Sequence, residues 1–499
     1  MHISLLLDMA AEAVGSRIAL GGAVDGISFA EVAARARATA AWLRGLPGDK
    51  LVFLGRNGTS LPVALFGAAL AGRPFAPLNY RLPDGDLRRL AARTAPSLAI
   101  ADDDMLPRLA GIEGVLPMAR SAYEALLLDP ALRGTELPEP DGDVAVQLFT
   151  SGTTGEPKIA VLRHRHLASY VISSVEFGAA ADDEAALVSV PPYHIAGISA
   201  ILTGTYSGRR THYLPTFDPE EWVDVAVAEK ITQAMVVPTM LGRILEVLEA
   251  RGEMLPHFKA ISYGGGRMPQ PVIERALRLL PHVGFVNAYG LTETSSTVAV
   301  LSAEDHRRAF NADDRLLRRR LGSVGKPLPN IELEIRGPGG VVLPHEVPGE
   351  VYVRGDQIAG EYLNRKAIQN DGWFATNDSG WLDDEGYLFI EGRLDDVIVR
   401  GGENISPGEI EDTLRAHAGV KDVAVFGIPD DRWGERIAAV VVPSDPTPST
   451  AELAEWVKSR LRSTKTPETW EFRPALPYNE TGKLLRRMLK LELSQTAQE

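Results

Sequence analysis

Apolar positions in the first half of the chain come in short unbroken runs, separated by longer stretches with helical spacing. LVFLG (residues 51–55) reads as a buried strand, since consecutive apolar residues suit a strand covered on both faces. Residues 60–71 follow with helical spacing, and RPFAPLN (73–79) returns as a strand. The rhythm recurs downstream as VAVQLF, then LRHRHLASYVISSVEF, then ALVSVPP. Strand and helix in alternation predict a layered α/β fold with mostly parallel strands. Between residues 322 and 353 the texture changes to short alternating strands with turns (IELEIRGPGG, GEVYVRGD). That pattern predicts an antiparallel sheet or a small barrel.

After Arg393 the texture changes again. VIVR reads as a strand and GGEN as a turn, and VAVFGI, RIAAVVV and WEFRPALP read as further strands. Ser406, Pro407 and Glu409 carry the pattern of a capping box opening a helix, and Ser449 with Glu452 repeat it. This is a small α+β unit of roughly a hundred residues, an ordinary domain size. A chain of 499 residues exceeds what one core serves. We therefore divide it into a large N-terminal domain, 1–394, and a small, mobile C-terminal domain, 395–499. No internal repeat or low-complexity tract interrupts either.

Composition narrows the function. A net charge of -14 argues against a nucleic-acid partner, because phosphate backbones are bound by basic surfaces. A small polyanion remains possible, held by local cations and backbone N–H groups. No apolar run reaches the length of a bilayer span. MHISLLLDMAAEAVG has no basic leader and carries Asp8 within its apolar patch, so a signal peptide is not expected and the cytoplasm is. The chain has no cysteine. A disulfide framework, a thiolate metal site and a cysteine nucleophile are thereby excluded. Any thioester made here must draw its sulfur from another molecule.

One stretch stands apart. LFTSGTTGEPK (148–158) gathers small and hydroxyl residues between an apolar run and a lysine. It follows the strand VAVQLF and precedes a helix-like segment inside the first domain, which argues against a linker. It is also too long for a tight turn. Glycines let the backbone approach a ligand closely, and successive N–H groups form an anion nest. The Walker spacing fails. Composition alone leaves an ordinary loop and a phosphate-binding loop both open.

FTSGTTGEPK resembles the phosphate-loop signature of the adenylate-forming superfamily, which includes acyl- and aryl-CoA ligases, luciferases and freestanding adenylation domains. VPPYHIAG, YGGGRMP, NAYGLTE, DGWFATND, GYLFIEGRLDDVIVRGGENISPGEIE and NETGKLLR follow in that family's order. The resemblance spans roughly residues 28–483 and is greatest to the acyl- or aryl-CoA ligases. It implies ATP-dependent activation of a carboxylic acid to an acyl-adenylate with loss of pyrophosphate, followed by transfer to coenzyme A.

The same resemblance assigns roles. Thr150, Ser151, Gly152, Thr153, Thr154, Gly155 and Lys158 would hold the β- and γ-phosphates. Gly264, Gly265 and Gly266 would flank adenine, together with Asn287, Ala288, Tyr289 and Gly290. Tyr289 would stack on the base, Thr292 would bond the α-phosphate and Glu293 would hold Mg²⁺. Asp378 and Arg393 would bind the ribose hydroxyls. Lys483 would reach from the second domain to the carboxylate and α-phosphate. Asp395 falls at the hinge, whose rotation would bring Gly401, Gly402, Glu403 and Asn404 to the CoA side. His194, Ile195, Gly197, Val237 and Gly265 would line the acid pocket. His194 is expected to contact substrate rather than act as a base, since a carboxylate needs no deprotonation at neutral pH. Taken singly these residues have plainer readings. Tyr289 would be a core residue, Asp378 a turn residue, Arg393 a surface ion pair, Lys483 a solvated lysine and His194 a hydrogen-bonded core histidine.

Three positions depart from the family pattern. Ile159 and Asn377 stand where glycine is usual, and Arg267 stands where proline or a small residue is usual. Asn tolerates left-handed backbone, and Arg267, which could pair with a nucleotide or a substrate carboxylate, is expected to face solvent. The pocket motif PPYHIAGIS lacks the aspartate that would bind an amino group. A fatty, alicyclic or aromatic acid is expected, with no choice among them. Two other readings stay open: an enzyme that loads a carrier-protein pantetheine, and a nucleotide-binding sensor without turnover. A monomer and a homodimer are both compatible with the sequence.

Overall fold

The computed structural model describes residues 1–150, 157–401, 403–430, 432–478 and 484–496. The fold is α/β: two large, mainly parallel sheets, a small antiparallel sheet, and a final α+β unit with its own sheet.

In the eight-stranded sheet, Val144–Thr150, Phe75–Pro77, Lys50–Leu54, Ser97–Ala101 and Val115–Ala119 run parallel in that spatial order. Leu51 and Phe53 enter one core, while Val52 and Leu54 enter another on the opposite face. From Leu51 to Leu54 the strand is apolar because both of its faces are covered. Helix Ser60–Leu70 is buried nearly all round, between the two large sheets.

The nine-stranded sheet has six parallel strands at its centre, in the order Gly284–Leu291, Ala260–Gly264, Gln233–Val236, Ala185–Val188, Arg210–Tyr213 and Ile18–Leu20. From Ala185–Val188 the chain moves outward through helix Ile195–Ser207 to Arg210–Tyr213. It then crosses back to Gln233–Val236 on the other side. That reversal is a topological switch point. Ligands of open α/β sheets bind in the crevice beyond the carboxyl ends of strands at such a point. His194 and Val237 follow the two strands that flank it.

Residues 332–393 form a four-stranded antiparallel sheet, Glu332–Arg336, Gly349–Arg354, Phe374–Leu382 and Leu388–Arg393. Its strands follow in chain order and it is not a barrel. Residues 398–472 supply a five-stranded sheet with helices Pro407–Arg415 and Thr450–Lys458. Among the described residues no helix is long and apolar enough to cross a membrane.

Two local expectations are corrected. The glycine–threonine stretch does not lead into a helix, because Lys158–Arg163 is a strand antiparallel to Val144–Thr150, with Thr150 opposite Lys158. The stretch therefore joins two strands of a hairpin. Ser449 caps its helix by accepting from Glu452 N at 3.2 Å, but Ser406 does not cap. Its hydroxyl donates instead to the Glu391 carbonyl at 3.0 Å, and Glu409 pairs with Lys465 at 2.5 Å.

Candidate active site

NAYGLTE ends the strand Gly284–Leu291 in a sharp reversal. The ladder to Ser296–Leu301 bulges between Tyr289 and Gly290, and a Cβ on Gly290 would lie 1.9 Å from the Ser296 carbonyl oxygen. Only glycine allows that approach. The reversal is a 3₁₀ turn, Thr292–Thr294, left through Ser295 at φ 55°. The Thr294 hydroxyl closes it, donating to Ser296 O at 2.6 Å and accepting from Leu291 N at 2.9 Å. Buried Gln357 braces it from outside, donating to Thr294 O at 3.1 Å and Thr297 O at 2.7 Å. Tyr289, Thr292 and Glu293 are thus fixed on one short path.

Tyr289 leads to the two residues assigned to the ribose. Its hydroxyl donates to Asp378 Oδ2 at 2.6 Å, and Arg393 Nε lies 3.1 Å from Asp378 Oδ1. Asp378 and Arg393 face each other across adjacent strands, so sheet register sets their pairing. Arg393 also donates to Thr376 O at 2.9 Å. Burial, then the neighbouring Asp378 carboxylate, push the Tyr289 phenol well above its ordinary pKa. The hydroxyl stays a donor at neutral pH. Asn287 is buried, and its amide donates to the Ser323 carbonyl at 3.1 Å. Ala288 sits opposite Gly264 in the ladder.

His194, assigned to the acid pocket by the resemblance, is the N-cap of helix Ile195–Ser207, with Nδ1 accepting from Ala196 N at 3.3 Å. That bond leaves the ring proton on Nε2. Burial lowers the pKa to about 4, so the ring is a neutral donor at pH 7. Ile195 is buried, and Gly197 packs on the Pro191 carbonyl, where a Cβ would come within 2.9 Å. Across the crevice, Gly265 adopts φ +78°, and a Cβ there would stand 3.6 Å from Val237. A Cβ on Gly264 would meet the Ala288 carbonyl at 2.4 Å. The glycines keep this wall flat, and Gly266 continues it beside Pro238.

The ammonium of Lys158, which the resemblance assigns to the phosphates, lies 5.6 Å from the centre of the Tyr362 ring. The Tyr362 hydroxyl donates to Glu293 Oε1 at 2.7 Å. Sequence reasoning passed over both Tyr362 and Gln357, because nothing in GEYLN or RGDQI signals a partner sixty or more residues away. The other Glu293 oxygen has no partner among the described residues. Those residues hold no group of three metal-ligating side chains. A lone carboxylate suits Mg²⁺, which takes one or two protein carboxylates and completes its shell with substrate phosphates and water. Ser151, Gly152, Thr153, Thr154, Gly155, Gly402 and Lys483 lie outside the described residues.

The departures from the family pattern now have places. Ile159 is a buried strand residue opposite Phe149. Asn377 takes the left-handed conformation that glycine would, at φ 62°. Its amide donates to Asp395 Oδ2, the hinge candidate, at 3.2 Å. Arg267 is exposed, as expected, and also carries an ion pair. Its guanidinium meets Asp412 on helix Pro407–Arg415 at 2.5 Å, in space that Gly408 leaves open, since a Cβ there would lie 2.2 Å from Arg267 Nη1. Gly401, at φ 58°, packs on Trp433, and Glu403 and Asn404 open the returning strand of the hairpin.

Residues 7–363 match the AMP-binding enzyme family, and residues 409–483 match the AMP-binding enzyme C-terminal domain. A feruloyl-CoA synthase from Amycolatopsis sp is 32% identical over 471 residues, 92% of each chain. The fatty acid–[acyl-carrier-protein] ligase ScoC from Streptomyces coeruleorubidus is 32% identical over 463 residues, 89% of this chain and 86% of that protein. Among solved structures, o-succinylbenzoate CoA synthetase (MenE) from Bacillus subtilis, with its acyl-adenylate OSB-AMP, superposes with a TM-score of 0.83. It is 28% identical, and the match covers 97% of both chains. A further structure of that enzyme contains ATP and a magnesium ion.

Proposed function

The chain belongs to the AMP-binding enzyme family, and from that premise we propose that it is an acid–thiol ligase. It converts a carboxylic acid and ATP to an acyl-adenylate and pyrophosphate, then transfers the acyl group to coenzyme A with release of AMP. The observation that carries this reading is the run Glu293–Thr292–Tyr289–Asp378–Arg393, which sets a carboxylate, a hydroxyl, an aromatic ring and an acceptor–donor pair in sequence.

In the first step a carboxylate oxygen attacks the α-phosphorus, and the bond to the β,γ-pyrophosphate breaks. Lys158 and the loop 151–156 donate to the departing phosphates, and Thr292 donates to the α-phosphate. Negative charge builds there, and donors already in place lower the barrier without reorganising. Mg²⁺, when bound at Glu293, supplies further charge neutralisation on the phosphates. Tyr289 stacks on adenine, and Asp378 and Arg393 exchange their mutual contact for the ribose hydroxyls. His194 Nε2–H donates to the acid's carboxylate and orients it; the histidine moves no proton.

In the second step the thiol sulfur attacks the acyl carbon and AMP departs. Division of the chain at Asp395 supports rotation of the 395–499 unit between the steps, withdrawing Lys483 and presenting the 401–404 turn. The wall of His194, Ile195, Val237, Gly264 and Gly265 supports an apolar acid, fatty, alicyclic or aromatic. Use of ATP and CoA supports a cytoplasmic setting. Likeness to ScoC supports a carrier-protein pantetheine as the second candidate acceptor.

Pyrophosphate release with ATP, Mg²⁺ and a panel of carboxylic acids, with and without CoA, tests the reading. Acid-dependent release with acyl-CoA and AMP as products is expected. Retained adenylate with no CoA product would transfer the acceptor role to a carrier protein. ATP binding without release across the panel would overturn ligase activity and leave a sensor.

A further inference from the structure

Residues 359–362 form a strap built onto Glu293. The amides of Ala359 and Gly360 both donate to the Glu293 carbonyl, each at 2.9 Å. Two residues on, the Tyr362 hydroxyl reaches the Glu293 carboxylate at 2.7 Å. Strand Glu361–Tyr362 is anchored from its other side. Tyr362 pairs with Ala160 in the strand that begins at Lys158, and Glu361 accepts two bonds from Arg163, each at 2.8 Å. The same aromatic ring lies 5.6 Å from the Lys158 ammonium. One side chain therefore touches the groups of opposite charge at the phosphate end of the crevice, by its hydroxyl and by its ring.

We propose that Tyr362 is a positioning residue: its hydroxyl fixes the rotamer of Glu293, and its ring holds Lys158 through a cation–π contact. The inference rests on the ligase reading, which assigns Glu293 to Mg²⁺ and Lys158 to the phosphates. Two features of the contact carry it. The hydroxyl occupies Oε1 alone, leaving Oε2 with no partner among the described residues. The backbone bonds from 359 and 360 hold the Glu293 main chain while Tyr362 holds its side chain, leaving the carboxylate little freedom. An outer contact that orients a ligand in this way commonly sets metal affinity, and a face-on ammonium is held by the ring's quadrupole.

Phenylalanine keeps the ring and loses the hydroxyl, whereas leucine loses both. Calorimetry of ATP binding without acid, at graded Mg²⁺, reads the two effects apart from turnover. Tyr362→Phe should raise the Mg²⁺ needed for half-maximal ATP binding by about tenfold, the size seen when a metal ligand loses its outer partner. ATP affinity at saturating Mg²⁺ and the KM for the acid should stay unchanged. Tyr362→Leu should also weaken ATP at saturating Mg²⁺ by about threefold, through Lys158. Glu293→Gln, measured alongside, separates the inference from its premise. If Glu293→Gln shifts the Mg²⁺ dependence and Tyr362→Phe does not, the positioning role is overturned while the ligase reading stands. If Glu293→Gln leaves the dependence unmoved, Glu293 is not the ligand, and the positioning role falls with that assignment.

Discussion

The Arg267 guanidinium donates to the Asp412 carboxylate at 2.5 Å, joining the glycine-rich turn beside the crevice to helix Pro407–Arg415 in the final α+β unit. Both side chains are more than a third exposed, at 40% and 35%, so water and salt screen the pair. Its expected worth is below about 1 kcal/mol. That is too little to hold the fold and enough to bias where the final unit rests.

Arg267→Ala should therefore leave the melting temperature nearly unchanged. Proteolytic cleavage between residues 394 and 397 should quicken by up to about fivefold, the equivalent of about 1 kcal/mol. Asp412→Ala should do the same, and the double variant should cleave no faster than either. Additive effects in that cycle would show that the pair contributes no coupling.

Asn377 combines a left-handed backbone with a bond to Asp395. Asn377→Gly keeps the backbone and loses the bond, so stability should change by less than about 1 kcal/mol. Asn377→Val cannot take φ 62° without strain and should cost about 1–3 kcal/mol. Thermal melts of the two variants check this, and equal losses would place the cost in the side-chain bond instead.

His306 is fully buried between Ser302 O and the Tyr263 hydroxyl, each 2.7 Å away. Nδ1 faces a carbonyl and must donate, so Nε2 accepts from Tyr263. Burial lowers its pKa from 6.5 to about 4. Between those values the unfolded chain binds the extra proton, so stability falls as pH drops from 6.5 to 4, by roughly 3 kcal/mol from this group. Above pH 6.5 the group adds no pH dependence. His306→Gln, which keeps a donor and an acceptor, should flatten the loss of melting temperature between pH 6.5 and 4.5. An unchanged slope would assign the loss to the other buried histidines.

Lys483→Ala should reduce pyrophosphate release by about a hundredfold or more, the scale for removing a group that stabilises developing charge. Thioester formation from supplied acyl-adenylate should fall far less. Equal losses in both half-reactions would remove Lys483 from the adenylation step.

Much of the site was legible in local sequence because its members travel in short motifs. NAYGLTE puts Tyr289 at the end of a strand and Thr292 and Glu293 on the turn that follows, and the necessity of Gly290 follows from the reversal itself. The largely apolar runs at 51–54 and 144–149 predicted their strands, since burial on both faces favours apolar side chains. Ser406 misled because the capping pattern reads only local bonds, and a carbonyl fifteen residues upstream took its hydroxyl. The glycine–threonine stretch misled because a second strand follows it, paired to the first by hydrogen bonds that carry no residue signature.

Motif order and hydrophobic period determined the family and the layered α/β architecture. Both are short-range properties, written in residue type and spacing. Only the tertiary structure decided that Tyr362 meets Glu293, that Arg267 meets Asp412, and that Asn377 meets Asp395. Those contacts join segments 69, 145 and 18 residues apart. Which distant segments become neighbours is fixed by strand order and register in the assembled sheets, and no local pattern encodes that.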